Sequence, residues 1–479
     1  MILNRSKYVH LLIMFVLAFG ISVLPPFGQV TVFGMKSLGV FIAVLYGWIA
    51  FDLFWTSIFG FLLMPILGLN SVAGAFAAGI GNQMVINVML TMAFSVAIDM
   101  AGVTDVMTSW LLQRKIINKS PWALVIGILA IAAILGGIGV GIAAIFLLWS
   151  ITLKIAEYCD IKKGDPLLSF LIMMITVFTM TTSYIFPFRG GSLIFMAPLL
   201  QVTDTPIPMG SYIAWSTVFL LVFYVLIVLT AKFILKVNVS KFVLPEDLLR
   251  EMHEKQINAK EKMAVAVLFA YVLVLVVPAI FTSMPGAAFI NKLGVGGISG
   301  IAILLLAALR YEGKGLVDLV KVFSKVDWTL FFLVAVTYPI ADLIKHADSG
   351  IMPTIMGFIM PIVSGMGALT FLIVSMIALG LVTQVTHNIV LAAMFEPFLL
   401  PIYAQLGGNM YTMWFILTFT LNMAYCTPAG SFQAALVFGH EQMEKKHAYT
   451  YGIMLLVLIW IVSIVCGLPL GNALFGSLI

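Results

Sequence analysis

Long apolar segments, separated by short polar ones, follow one another along almost the whole chain. A bilayer crossing by an α-helix needs about 20 predominantly apolar residues. Segments of this kind lie near residues 9–25, 33–50, 52–69, 86–109, 167–201, 211–233, 264–281, 296–309, 327–346, 410–439 and 448–468. The pattern predicts an all-α integral membrane protein with about eleven transmembrane helices.

One further apolar stretch, residues 121–153, does not fit as a crossing. It runs between the basic clusters Arg114–Lys119 and Lys154–Lys163, which we expect on the same side of the membrane. The chain must then enter and return, with a glycine-rich tip in the middle, as in a re-entrant hairpin. The alternative is two ordinary crossings that pack through Gly137 and Gly141 as a small-residue face.

Residues 367–405 form the second such stretch, and few positive charges flank it. Both of its ends are therefore expected outside, which predicts a second re-entrant hairpin with its tip at Thr383–Asn388. Segments before the two hairpins, Trp110–Lys119 and Ala347–Met360, are candidates for arms that lie along the membrane interface.

A broken helix follows each hairpin. Polar and helix-breaking residues interrupt the apolar segments 167–201 and 410–439. Irregular backbone at membrane depth is tolerated where it lines a cavity or is buried in protein. A hairpin and a broken helix, once from each side, predict an inverted-topology repeat. We expect repeat halves at 1–235 and 263–479, joined by a cytoplasmic connector at 236–262.

Composition and charge narrow the class of protein. The chain is 62% hydrophobic and only 9% charged, which excludes a soluble domain of this size. Most of the 25 Lys and Arg residues lie on one side of the predicted crossings. This asymmetry predicts a multi-pass protein of the cytoplasmic membrane, with the N-terminus cytoplasmic and the C-terminus outside. The three cysteines have no metal-binding spacing, and the net charge of +5 gives no indication of nucleic acid.

The polar interruptions carry a family resemblance. Thr386-His387-Asn388 at the second tip and Cys426-Thr427-Pro428 at the second break resemble motifs of the divalent anion/sodium symporter family, within the ion-transporter superfamily. The first half departs from these motifs, with Gly139-Val140-Gly141 at the tip and Phe188-Arg189-Gly190 at the break. The resemblance implies a homodimer in which a mobile domain, formed by the hairpins and broken helices, slides as an elevator. It also implies sodium coupling, although some members exchange anions.

Candidate substrate ligands follow from the expected helix ends. Helix N-termini at a tip or break present free N–H groups and can bind an anion. Arg189 adds a charge at membrane depth, where ionisable residues are functional candidates. In a variant of this role, Arg189 replaces a bound sodium ion. The alternatives are a structural ion pair with Asp99 or Glu396, or a side chain that snorkels to the outer interface. The candidate set is Gly139, Val140, Gly141, Arg189, Gly190, Thr386, His387, Asn388, Thr427 and Pro428.

Candidates for the coupling ion lie at the second tip and break. They are Thr383, Asn388, Cys426 and Glu396. Sodium is the possible coupling ion that the resemblance implies, and we expect no other cofactor and no bound metal. His387 is a proton-coupling candidate because an unperturbed imidazole titrates near neutral pH. The alternative for each threonine is a hydrogen bond to its own helix backbone.

Together these features predict a secondary active transporter of a small anion, driven by sodium or protons, rather than an enzyme. The family resemblance alone implies that the anion is a dicarboxylate or a similar carboxylate. The alternatives are an anion exchanger, a carrier of sulfate or another inorganic anion, a channel, or a membrane-embedded enzyme. His440, Glu441 and His447 superficially suggest a metal site, but their spacing is not H-E-x-x-H. The expected partners are the anion, the lipid bilayer and a second copy of the chain.

Overall fold

The computed structural model describes residues 5–103, 106, 119–138, 141–243, 257–280, 283–428 and 430–478. In these ranges the protein is almost entirely helical. One two-stranded antiparallel pair, β1 (Arg310–Tyr311) and β2 (Lys314–Gly315), closes a tight turn. The predicted all-α class is therefore confirmed.

The first half of the chain supplies ten α-helices within the described ranges. They are α1 (Arg5–Val23), α2 (Val32–Ala50), α3 (Leu53–Ile66), α4 (Val72–Gly79), α5 (Gln83–Met100), α6 (Pro121–Ile138), α7 (Gly141–Tyr158), α8 (Pro166–Thr182), α9 (Gly190–Leu200) and α10 (Met209–Leu229).

The second half supplies eleven described helices. They are α11 (Ala259–Ile280), α12 (Ala287–Ala308), α13 (Leu319–Ser324), α14 (Trp328–Lys345), α15 (Ile351–Val363), α16 (Ala368–Val382), α17 (Asn388–Gln405), α18 (Met410–Leu421), α19 (Phe432–Gly439), α20 (Lys445–Val462) and α21 (Leu468–Phe475). Short π-helical turns continue α10 and α20.

Nine helices of the described ranges are long and apolar enough to cross a membrane, or ten if α15 and α16 count as one bent span. The expected number was about eleven. The difference arises because several expected crossings are short or broken helices, such as α3, α8, α9 and α18. In contrast, α6 and α17 belong to the stretches that were not expected to cross, yet both reach spanning length. The multi-pass membrane fold is confirmed.

Both stretches that did not fit as crossings fold as pairs of packed helices. In the first, α6 and α7 pack on each other and on α8. A Cβ atom at Gly136 would lie 2.0 Å from the Thr179 carbonyl oxygen, whereas one at Gly137 would keep an ordinary 3.9 Å contact. The close-packing glycine is therefore Gly136 and not Gly137. In the second, α16 and α17 flank the tip at residues 383–387.

Each hairpin is followed by an interrupted helix. The first interruption, between α8 and α9, contains Pro187, which lacks an N–H and disfavours helix at the preceding residue. The second, between α18 and α19, contains Pro428, and the Ser431 hydroxyl then accepts from the Ala434 N–H at 3.1 Å to start α19. The order hairpin, broken helix thus occurs in both halves, at 121–200 and 368–439.

Several expectations concern residues that the structure does not describe. Gly139 and Val140 of the first tip lie outside the described residues, as do positions 244–256 of the connector and nearly all of the arm Trp110–Lys119. The second arm is described: α15 follows a short 3₁₀ turn and meets α16 at a bend of 108°. The boundaries of the repeat halves stay predictions.

Candidate functional site

Arg189 lies at the N-terminus of α9, at the end of the first interruption. Its side chain is only 7% exposed. The Nη1 atom donates to the Ile138 carbonyl oxygen at 3.3 Å, which is an orphan carbonyl at the C-terminus of α6. The Nε atom has no hydrogen-bond partner among the described residues. The guanidinium therefore ties the first break to the first tip and retains hydrogen-bonding capacity.

A cleft of about 320 Å³ opens beside this guanidinium. The N-termini of two helices reach it, α7 at Gly141 and α9 at Gly190 and Gly191. Such helix ends favour an anion, and the Arg189 charge adds to them. The described residues that line it are Met92, Ser95, Val96, Asp99, Gly141, Ile142, Met180, Arg189, Gly190, Gly191, Lys325 and Asp327.

At the second tip, Gln384 connects the hairpin to the break. Its Nε2 atom donates to the carbonyl oxygens of Gly380 at 2.8 Å and Met423 at 3.0 Å. Its Oε1 atom accepts from the Cys426 N–H at 2.8 Å. This buried amide satisfies backbone groups that the interrupted helix leaves unpaired.

The threonines reinforce the same connection. The Thr383 hydroxyl donates to the Leu421 carbonyl oxygen at 3.1 Å, and the Thr427 hydroxyl donates to the Gln384 carbonyl oxygen. Both hydroxyls thus bond across to the other element instead of back-bonding within one helix. Each hydroxyl oxygen keeps acceptor capacity.

The two halves meet at Asn422. Its Oδ1 atom accepts from the Tyr184 hydroxyl at 2.8 Å and from the Asn388 Nδ2 atom at 3.0 Å. Its own amide nitrogen donates to the Thr418 carbonyl oxygen at 2.8 Å. One side chain therefore joins the first break, the second break and the second tip.

The other predicted residues of the second tip and break surround this cluster. His387 caps α17, and its Nδ1 atom accepts from the Ile389 N–H at 3.3 Å. It also interacts electrostatically with Asp327, which lines the Arg189 cleft. Thr386 is half-buried, and Pro428 is exposed.

The structure thus gathers the predicted residues into two groups. Arg189, Gly190 and Gly141 line the cleft. Thr383, Asn388, Cys426 and Thr427 lie in the hydrogen-bonded cluster of the second tip and break.

Glu396 is fully buried on α17. Neither carboxyl oxygen has a hydrogen-bond partner among the described residues. Arg189 bonds instead to Ile138, so the ion pair between Arg189 and Glu396 that the sequence left open does not form. Burying an unpaired carboxylate costs several kcal/mol or more.

His440 and His447 do not form a metal centre with Glu441. The His440 ring packs edge-on against Trp149 at 4.7 Å, and its Nδ1 accepts from the Gln442 N–H at 3.1 Å. His447 instead faces the Ser169 hydroxyl at 3.3 Å. Burial lowers the pKa of His440, opposed by Glu441. Among the described residues, no group of three His, Cys, Asp or Glu side chains could hold a metal ion.

Sequence reasoning missed Asn422 and Tyr184 and gave Gln384 no role. All three are polar side chains inside or beside the interruptions, and that position is the signal that could have identified them. The Asn388 and Tyr184 side chains that meet at Asn422 lie 34 and 238 residues from it along the chain, so no local pattern indicates the pairing.

Comparisons with known proteins agree with this architecture. The model of the citrate transporter family, CitMHS, matches residues 41–395. The solved structures include the Alcanivorax borkumensis YdaH transporter, which is similar with a TM-score of 0.51 and 13% identity, over 84% of this chain and 87% of that one. A search of curated proteins finds no match.

The family match extends over well more than half of the chain, and the structural similarity supports the fold. The chain is thus a membrane secondary transporter rather than an enzyme. The narrower resemblance to the divalent anion/sodium symporters is not confirmed. The protein belongs to the citrate transporter family of the ion-transporter superfamily.

Proposed function

We propose that the protein carries a di- or tricarboxylate anion across the cytoplasmic membrane and binds it in the cleft beside Arg189. The observation that carries this proposal is the buried guanidinium, whose Nε has no described partner, between the N-termini of α7 and α9. Together they offer a fixed positive charge and backbone N–H groups to a carboxylate. The name of the family favours citrate or a related carboxylate.

The carboxylates in the cleft shape its selectivity. Asp99 and Asp327 line the same space as Arg189 and Lys325. A substrate with several carboxylates would place one at Arg189 and direct a hydroxyl group or another polar part toward the acidic side chains. A simple inorganic anion such as sulfate has no further polar group to place against the acidic side chains. Sulfate is therefore the alternative substrate and not the preferred one.

Glu396 makes a proton the preferred coupling ion. A fully buried carboxyl with no described partner is stable as the neutral acid, and charging it requires a new partner or access to water. If the exposure of the Glu396 carboxyl to water changes during transport, this carboxyl would therefore bind or release a proton. Sodium is the alternative, held by oxygen atoms at Thr383 and Asn388 and by the backbone near Cys426.

We further propose an elevator movement in a homodimer, with the N-terminus cytoplasmic. The hydrogen bonds of Gln384 and Arg189 attach each hairpin to its broken helix, and Asn422 attaches the two halves to each other. These contacts support the hairpins and broken helices as one unit that moves past α2 and α14.

The direct test of the binding site is citrate affinity of purified protein, measured by calorimetry. Arg189→Gln should lower the affinity about 30-fold or more, because it removes a buried charged donor. Arg310→Gln is the matched control, since Arg310 is exposed on the β-turn. Arg189→Lys, which keeps the charge without the planar fork, should be intermediate. Equal affinity of Arg189→Gln and Arg310→Gln would exclude the cleft as the binding site.

A further inference from the structure

Two adjoining cavities lie along one face of α7, away from the Arg189 cleft. The first has a volume of about 450 Å³ and is mainly apolar, and the second has a volume of about 630 Å³ and is mainly polar. They share Leu153 and Gln442. The apolar cavity is formed by Phe146, Trp149, Leu153, Ala435 and Leu436, and the charged side chains of the polar cavity are Lys154, Glu157 and Lys163.

One wall of the apolar cavity is fixed in place. Trp149 is 4% exposed, and its Nε1 atom donates to the Ile172 carbonyl oxygen at 2.9 Å. His440 packs edge-on against its ring. The groove is therefore a preformed feature of the packing of α7, α8 and the loop after α19.

Gln442 lines both cavities, and its side chain has an unsatisfied acceptor within the described part of the chain. Its Oε1 atom is buried and has no hydrogen-bond partner among the described residues. Leaving a buried polar atom unpaired costs about 1–3 kcal/mol. An occupant that brings an N–H or O–H donor to this point would recover that energy.

The charges around the junction are mixed. Lys154 and Lys163 suit a phosphate, whereas Glu157 and Glu441, together with Gln442 Oε1, suit an ammonium group. The adjacent apolar cavity suits an acyl chain. A zwitterionic headgroup with N–H donors matches each of these features, and phosphatidylethanolamine is the common phospholipid of that chemistry.

We propose that this groove is a phosphatidylethanolamine site, with an acyl chain along Phe146 and Leu436, the phosphate at Lys163 and the ammonium at Gln442. Phosphatidylcholine has no N–H donor for Gln442, and phosphatidylglycerol has no cation for the carboxylates. A free phosphate leaves the apolar cavity unused.

The position of the groove gives the lipid a consequence for transport. α7 begins at the first tip, and α19 begins just after the second break. A lipid between them would contact α7, which starts at the Arg189 cleft, and α19, which starts just after the second break. Its binding is nevertheless measurable without any transport activity.

The test is native mass spectrometry of the delipidated full-length protein, incubated with equimolar phosphatidylethanolamine, phosphatidylcholine and phosphatidylglycerol of identical acyl chains. We expect about tenfold more bound phosphatidylethanolamine than either competitor. The reason is that its ammonium group satisfies the Gln442 acceptor and its two charges match those of the groove. Gln442→Leu should lower that binding about tenfold. Lys163→Ala, at an exposed position, should lower it about threefold.

Lys162→Ala is the matched control, because Lys162 is exposed next to Lys163 but lines neither cavity. Equal retention of the three lipids overturns the proposal, and a preference for phosphatidylglycerol overturns the ammonium assignment. Lys163→Ala and Lys162→Ala variants with identical lipid binding also overturn it. If Gln442→Leu does not fold, the lipid comparison on the unsubstituted protein still decides.

Discussion

In the proposed mechanism, individual polar residues at membrane depth bind the substrate and the coupling ion. Arg189 and Glu396 are both buried, yet only Arg189 has a described hydrogen-bond partner. The difference assigns them different tasks in the proposed mechanism. Arg189 is a permanent charge for a substrate carboxylate, and Glu396 is a group that changes its charge when its surroundings change.

Replacing Glu396 with Gln tests this assignment. Glutamine keeps the shape of the neutral acid but cannot exchange a proton, so the variant should fold normally and bind citrate as before. Its uptake into proteoliposomes should no longer respond to a proton gradient. Glu312→Gln, at an exposed turn, serves as the control. A Glu396→Gln variant that keeps full proton-driven uptake would show that another group carries the proton.

The sequence located the polar interruptions but did not reveal how they pair. Thr383, Asn388 and Thr427 were candidates because each stands in an apolar segment. Asn422 was missed, since its role depends on Tyr184 and Asn388, which come close only in the folded chain. Residue type and position along the chain indicate a site, whereas long-range packing decides which side chains meet there.

At the scale of the elements, each hairpin is held against its broken helix by close backbone contact. The α6–α8 contact depends on Gly136, where a side chain would collide with the Thr179 carbonyl. Flanking charges singled out the stretches 121–153 and 367–405, and each folds as a pair of packed helices. The sequence favoured Gly137 and Gly141 as the packing glycines in the alternative interpretation, because spacing alone does not distinguish adjacent glycines.

Adjacent glycines provide a matched pair for measuring this contact. Gly136→Ala should destabilise the protein by about 1–3 kcal/mol, since the new methyl group forces backbone atoms apart. Gly137→Ala should have a much smaller effect, because its Cβ would meet ordinary contacts. Thermal unfolding in detergent measures both variants. Equal loss of stability in the two variants would contradict the packing of α6 on α8.

For the whole molecule, the two ends of α14 differ in openness. The cleft of about 320 Å³ lies at its N-terminal end, where Asp327 caps the helix. Toward its C-terminal end, a cavity of only about 30 Å³ remains between Gln201, Thr337 and Lys345. In the proposed elevator cycle, this asymmetry corresponds to a state that is open at the end carrying Lys325 and Asp327.

A cross-link at the narrow end should stop the cycle. The Gln201 Nε2 atom lies 3.5 Å from the Thr337 hydroxyl, and this contact joins α9 of the proposed mobile unit to α14. Cysteines at both positions, bridged by a reversible thiol reagent, should abolish uptake until the bridge is reduced. Each variant that carries only one of the two added cysteines, treated in the same way, is the control. Full uptake by the bridged protein would exclude movement at this seam.

Carboxylate transport through the Arg189 cleft can be measured as uptake of labelled citrate, succinate and sulfate into proteoliposomes, with a proton gradient, a sodium gradient or neither. We expect saturable uptake of a carboxylate, faster with a proton gradient and lost in Arg189→Gln. Uptake of sulfate alone, or carboxylate uptake that Arg189→Gln leaves unchanged, would contradict it.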